Sequence, residues 1–206
     1  ALTTAKWGVT RAEQDELALA SHQNLATAWG EGFYDDLVTP YLGVARDGIL
    51  RADTSLEALA KLRPVFGTGD DASMTAGNST ALTDGAAVVL LAEEEHARGR
   101  GWPVLAKVVD AQVAASDYVT GAEDLLLAPT RAIPELLARN GLTLDDFDLI
   151  EIHEAFAATV IATLKALEAN GTGAVDRSRL NVGGSSLAAG HPFAATGGRI
   201  VASLAK

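Results

Sequence analysis

Ala86-Ala87-Val88-Val89-Leu90-Leu91 is an unbroken apolar run of strand length. A strand can carry such a run only if both of its faces are covered, as in a parallel sheet with helices above and below. The pattern then alternates. Glu93 to Arg98 reads as a short acidic-to-basic helix closed by Gly99, and Val104 to Val109 as a second strand. A helix over 130–140 ends at Gly141, with Pro134 inside it predicting a late start or a kink. Residues 148–152 read as a third strand, 155–169 as a strongly apolar helix, and 200–204 as part of another. Strand–helix alternation of this kind implies an α/β fold with a mostly parallel layer and right-handed crossovers. Hydrophobic residues make up 48% of the chain but aromatics only 5%. The core is therefore built from Ala, Val, Leu and Ile, which pack helix closely on sheet.

The first part of the chain is different. Residues 1–72 read as helical and loop-rich. Thr10-Arg11-Ala12-Glu13 is a capping-box start, after which Leu17, Ser21, Leu25 and Ala28 fall on one helical face. Gly30 is placed to end that helix. Leu56, Leu59, Ala60 and Lys61 form a shorter helix that stops before Arg63-Pro64. Small and acidic residues from Gly67 to Ser73 mark a loop where the composition changes, so the chain divides into 1–72 and 73–206. It begins without Met and stops without a terminal cap, and it reads as a fragment.

A net charge of -11 argues against nucleic acid and anionic membrane surfaces as partners. It leaves room for an anionic ligand held by a local Arg or a helix N-terminus. Absence of cysteine rules out disulfides and thiolate metal sites within the chain. No apolar stretch approaches a transmembrane span, and the N-terminus lacks the basic-then-apolar pattern of a signal peptide. The expected location is cytoplasmic, and the sequons at Asn78 and Asn170 read as chance.

Two histidines stand at junctions of regular elements. His191 lies in Gly190-His191-Pro192, a glycine-rich turn before an apolar helical run, and His153 lies where a strand meets a helix in Glu151-Ile152-His153-Glu154-Ala155-Phe156. Imidazoles so placed suit a site that polarises a carbonyl or activates a nucleophile. From local sequence each could equally be a structural histidine, in a tight turn or capping a helix. His22 and His96 sit among polar helix residues and read as solvated. The acidic clusters Asp35-Asp36, Glu93-Glu94-Glu95 and Asp145-Asp146 lack metal-ligand spacing, so no metal site is expected. Asn181-Val182-Gly183-Gly184 has neither the P-loop Lys nor dinucleotide Gly spacing.

These motifs carry a resemblance. Thr75-Ala76-Gly77-Asn78-Ser79-Thr80, Thr83-Asp84-Gly85-Ala86-Ala87, His153-Glu154-Ala155-Phe156 and Gly190-His191-Pro192 occur in the order and spacing of the thiolases. The chain is most similar to the subgroup of thiolase (β) subunits from the fatty-acid-oxidation trifunctional complex. That subgroup has His-Glu-Ala-Phe where most thiolases have Asn-Glu-Ala-Phe, and the Pro-Thr-x-Ala-x-Pro pattern seen at 129–134. Ala194 stands where it usually has Gly.

The resemblance implies a layered α/β/α thiolase-like fold, of which the chain is the C-terminal half with part of the helical loop domain. It implies acyl transfer: thiolytic cleavage of a 3-ketoacyl-CoA, with both family cysteines outside the chain. CoA and acyl-CoA are then substrates, and no metal or redox cofactor is used. His191 would activate the nucleophilic cysteine and help hold an oxyanion, and His153 would help hold a thioester or enolate oxygen. Ser79 and Thr80 would contact the pantetheine arm, or else cap a helix near Asp84. Ala155 and Phe156 would line the acyl pocket, or else be plain core. Glu154 would orient an imidazole or, the favoured reading, support the following helix through its dipole. A homodimer and a hydratase/dehydrogenase partner subunit are further implications. Two other classes stay open: a decarboxylating ketoacyl synthase, which shares the use of two histidines, and a non-catalytic assembly module.

Overall fold

The computed structural model describes residues 2–69, 71–121 and 124–206; Asp70, in the loop expected between Gly67 and Ser73, lies outside them. Helix α1 spans Leu2–Lys6 and α2 spans Arg11–Gly30. The capping box is formed. The Thr10 hydroxyl accepts from the Glu13 N–H at 3.2 Å, and the Glu13 carboxylate accepts from the Thr10 N–H at 2.7 Å, which pairs donors that a first helical turn leaves open. Leu17, Ser21, Leu25 and Ala28 are all buried, as their spacing predicts. Gly30 is the last helical residue but not the left-handed cap: Glu31 caps the helix with right-handed backbone, and the positive φ falls on Gly32.

Helix α3 spans Leu56–Ala60 behind an Ser55 N-cap. Strands β1 (Pro64–Phe66) and β2 (Met74–Thr75), which the sequence pattern did not predict, pair antiparallel across the loop. Helices α4 (Glu94–Gly99), α5 (Pro129–Asn140), α6 (Ala157–Ala169), α7 (Ser186–Ala189) and α8 (Thr196–Ala205) follow. Helix α5 starts on Pro129, where a missing N–H costs nothing, and continues through Pro134. Pro134 cannot donate to the Thr130 carbonyl, and the Asn170 side-chain amide at the end of α6 does so instead, at 3.2 Å.

The three strands expected at 86–91, 104–109 and 148–152 differ from the sequence reading. Among the described residues, 86–91 and 104–109 join no ladder, while Ile150 makes one parallel bridge to Leu180. An unbroken apolar run marks a strand that needs cover on both faces, and this chain does not supply that cover. Val88 is 92% exposed and Val109 81%.

The core is centred on α6, which is buried nearly all round, as its lack of a polar face predicts. Val160, Ile161 and Leu164 pack with Leu17 and Ala18 of α2, Leu59 of α3, and Leu127, Leu180 and Leu187. A second cluster joins Leu25, Ala28 and Trp29 of α2 to Tyr34 and Ala188 of α7. Helix α2 is thus held against α6 on one side and α7 on the other, beside the segments that carry the two histidines.

Candidate active site

His153 sits on the connector between the Ile150 bridge and α6, and Asn181 holds that connector in place. Asn181 adopts left-handed backbone (φ 49). Its side chain accepts from the Ile152 N–H at 2.8 Å and donates to the Ile152 carbonyl at 2.9 Å and to the Glu154 carboxylate at 2.7 Å. His191 sits on the turn between α7 and α8. Gly190 before it has φ 90, and a Cβ there would come within 2.7 Å of the Thr83 side chain. The glycine therefore serves the approach of the 79–83 segment. That segment threads between the two histidine loops. The His191 N–H donates to the Ala81 carbonyl at 3.0 Å and the Thr80 N–H to the Ala155 carbonyl at 2.9 Å.

The outcome is that residues 79–80, 153–156 and 191 meet in one place. The His153 and His191 ring centroids are 4.0 Å apart, with the planes tilted by 42°. Phe193 lies edge-on to His191 at 4.5 Å, and Phe156 edge-on to Phe66 at 5.6 Å.

Hydrogen bonding differs between the two rings. His191 Nδ1 is 2.7 Å from the Thr196 hydroxyl, whose own proton goes to the Pro192 carbonyl at 3.2 Å. Thr196 therefore accepts from His191 Nδ1–H, which leaves His191 Nε2 with a free lone pair. His153 Nδ1 is 2.7 Å from the Ser186 hydroxyl, and its Nε2 is buried with no protein partner. His153 is held neutral at ordinary pH. Burial, then His191 and Arg199, push His153 down to about 4. Burial and Arg199 also lower His191.

Thr80 does not cap a helix: none begins near Asp84, and its hydroxyl donates to the Ser186 carbonyl at 2.6 Å. Ser79 Oγ is buried and unpartnered. Glu154 departs from the dipole reading. It is 1% exposed, and its carboxylate accepts from Ser21 Oγ (2.6 Å), Asn181 Nδ2 (2.7 Å) and the Leu187 N–H (3.3 Å), not from the first turn of α6. Burial raises its titration. Neighbouring Glu151, with one buried oxygen unpartnered, is raised to about 7, mainly by burial. His22 is not solvated: it is buried, and Nδ1 accepts from the Arg51 N–H at 3.2 Å, because the 47–54 loop folds over α2. His96 is exposed, as expected. Asn181, Ser186, Thr196 and Arg199 escaped the sequence reading. Only Asn181 lay in a stretch that drew attention, and for another reason.

Known proteins are similar to this chain in sequence and fold. The family model described as "Thiolase, C-terminal domain" matches residues 102–206, and "Thiolase, N-terminal domain" matches residues 2–95. The chain belongs to the thiolase family. It is 42% identical over 212 aligned residues to the 3-ketoacyl-CoA thiolase of Yersinia pestis, an alignment covering 95% of this chain and 48% of that protein. Among solved structures, an acetyl-CoA acetyltransferase from Bacillus anthracis superimposes with a TM-score of 0.84 at 37% identity, over 98% of this chain and 50% of that one. Human mitochondrial 3-ketoacyl-CoA thiolase gives 0.82 at 31%, over 98% and 50%. The fold is that of the thiolases, and the chain spans about half the length of these relatives.

Proposed function

We propose that the complete protein is a 3-ketoacyl-CoA thiolase, an acetyl-CoA acyltransferase of fatty-acid β-oxidation, and that this chain supplies the histidine side of its active site. The observation that carries this reading is the facing pair of imidazoles, with a lone pair on His191 Nε2 and an unpartnered nitrogen on His153. A thiol carried elsewhere in the polypeptide gives its proton to His191 Nε2, and the thiolate attacks the C3 ketone. Charge then develops on the former ketone oxygen, where buried N–H donors stabilise it most. The C2–C3 bond breaks, a second thiol protonates the acetyl-CoA enolate, and CoA thiolate releases the shortened acyl group from its enzyme thioester.

Ser79 Oγ is the hydroxyl left for the pantetheine arm, since that of Thr80 is taken by Ser186. Ala155 and Phe156 border the acyl pocket. The division into 1–72 as loop-domain helices and 73–206 as core domain belongs to the same reading. CoA and acyl-CoA enter as substrates, with no metal or redox cofactor. His-Glu-Ala-Phe supports the trifunctional-complex subgroup, and with it a hydratase/dehydrogenase partner; the same reading takes the site of action to be cytoplasmic. The open apolar segments 86–91 and 104–109 give a surface for the rest of the fold and for a second copy, making a homodimer.

Thiolysis of a 3-ketoacyl-CoA by the full-length protein, read as acetyl-CoA release, tests the reading. His191→Ala should lower kcat by about 10²-fold or more. Carbon dioxide release from a malonyl thioester without thiolysis would favour the synthase reading. A full-length protein that binds acyl-CoA but never cleaves it would favour the assembly module.

A further inference from the structure

Ser186 opens α7, is wholly buried, and is 2.7 Å from His153 Nδ1. Arg199 of α8 reaches the same oxygen: its guanidinium donates to Ser186 Oγ at 2.9 Å and to Ser185 Oγ at 3.3 Å. A hydroxyl has one proton and two lone pairs. One lone pair of Ser186 is filled by Arg199, and among the described residues the only acceptor within reach of its proton is His153 Nδ1. If Nδ1 carried a hydrogen, the Ser186 proton would be buried without an acceptor, which costs roughly 1–3 kcal/mol. Nε2 has no protein partner in either tautomer, so sending the Ser186 proton to Nδ1 and the His153 hydrogen to Nε2 strands one buried group where the alternative strands two, and is the less costly arrangement.

We propose that Arg199 and Ser186 are positioning residues that fix His153 as the Nε2–H tautomer, so that it donates to the reacting oxygen. Thr196 fixes its neighbour His191 in the opposite sense, with Nε2 bare. Two rings 4.0 Å apart are thus assigned different jobs, one accepting a proton and one donating a hydrogen bond, by the hydroxyl behind each. The charged and titratable groups around His153 are His191 on its turn, Arg199 on α8, and Glu151 and Glu154 on its own connector. The inference about roles rests on the thiolase reading above; the tautomer assignment does not.

Nitrogen NMR of [15N]histidine-labelled full-length protein reads the tautomer directly. In the wild type His153 should be protonated at Nε2, and His191 at Nδ1. Ser186→Ala and Arg199→Met should each move His153 toward the Nδ1–H form or a mixture. In thiolysis, either variant should lower kcat about tenfold while changing KM less than about twofold, because a donor to the developing oxyanion acts in the transition state. A wild-type His153 protonated at Nδ1, or two variants that leave tautomer and kcat unaltered, would overturn the proposal. If the wild type proves inactive in thiolysis, the functional reading fails while the NMR result still decides the tautomer.

Discussion

Replacing Glu151 by Gln should change how stability depends on pH. The Glu151 carboxyl is largely buried beside Glu154, and its titration rises from 4.5 to about 7 in spite of Arg199. An acid that holds its proton more tightly when folded adds no penalty below the unfolded value. The folded state then loses stability as pH climbs from about 4.5 through about 7. The full displacement corresponds to roughly 3 kcal/mol, and residual solvent contact reduces it to ~2 kcal/mol. Glu151→Gln removes the ionisation, so variant and wild type should have similar stability at pH 4.5. At pH 8 the variant should be more stable by that amount. With a urea slope near 2 kcal/mol per molar, its midpoint at pH 8 should lie about 1 M higher. Circular dichroism through a urea titration at both pH values measures this. An equal midpoint difference at the two pH values would refute the argument that burial of this carboxyl costs the fold its stability.

Gly184→Ala should be severely destabilising, by roughly 3 kcal/mol or more, since φ is +76 and a Cβ would lie 2.6 Å from the Leu25 nitrogen and the Ser21 carbonyl, which are backbone atoms and cannot swing aside. A fall in melting temperature of less than about 2 °C would contradict it. Asn170→Ala should cost about 1 kcal/mol by leaving the Thr130 carbonyl to water and removing the acceptor of the Thr172 N–H and hydroxyl, with faster hydrogen exchange in α5 and in the turn after α6.

Features built from local signals were readable in the sequence. Thr10 and Glu13 are three residues apart and cap α2 together, and α6 announces its central place by being apolar over most of its circumference. The meeting of His153 with His191 was readable only through the combined motifs and their resemblance. What lay out of reach are side-chain bonds between distant segments. Asn181 clamps Ile152 across 29 positions, Ser186 meets His153 across 33, and Ser21 meets Glu154 across 133. No periodicity records such pairings. His22 was misread for the same reason, because its cover comes from Arg51, a loop residue 29 positions on. The strands at 86–91 and 104–109 were read from apolar content, which reports a need for neighbours and says nothing about where they come from.

Glu154 ties α2 to the connector that carries His153 through a buried carboxyl group, and this bears on how the molecule comes apart. Ser21 falls within the stretch matched by one family model and Glu154 within the stretch matched by the other. Peeling α2 away would strip the buried carboxyl of its 2.6 Å donor from Ser21, so the helix and the histidine connector should melt together. A protease nick between residues 95 and 102 would sever the backbone there and still leave the two pieces clasped.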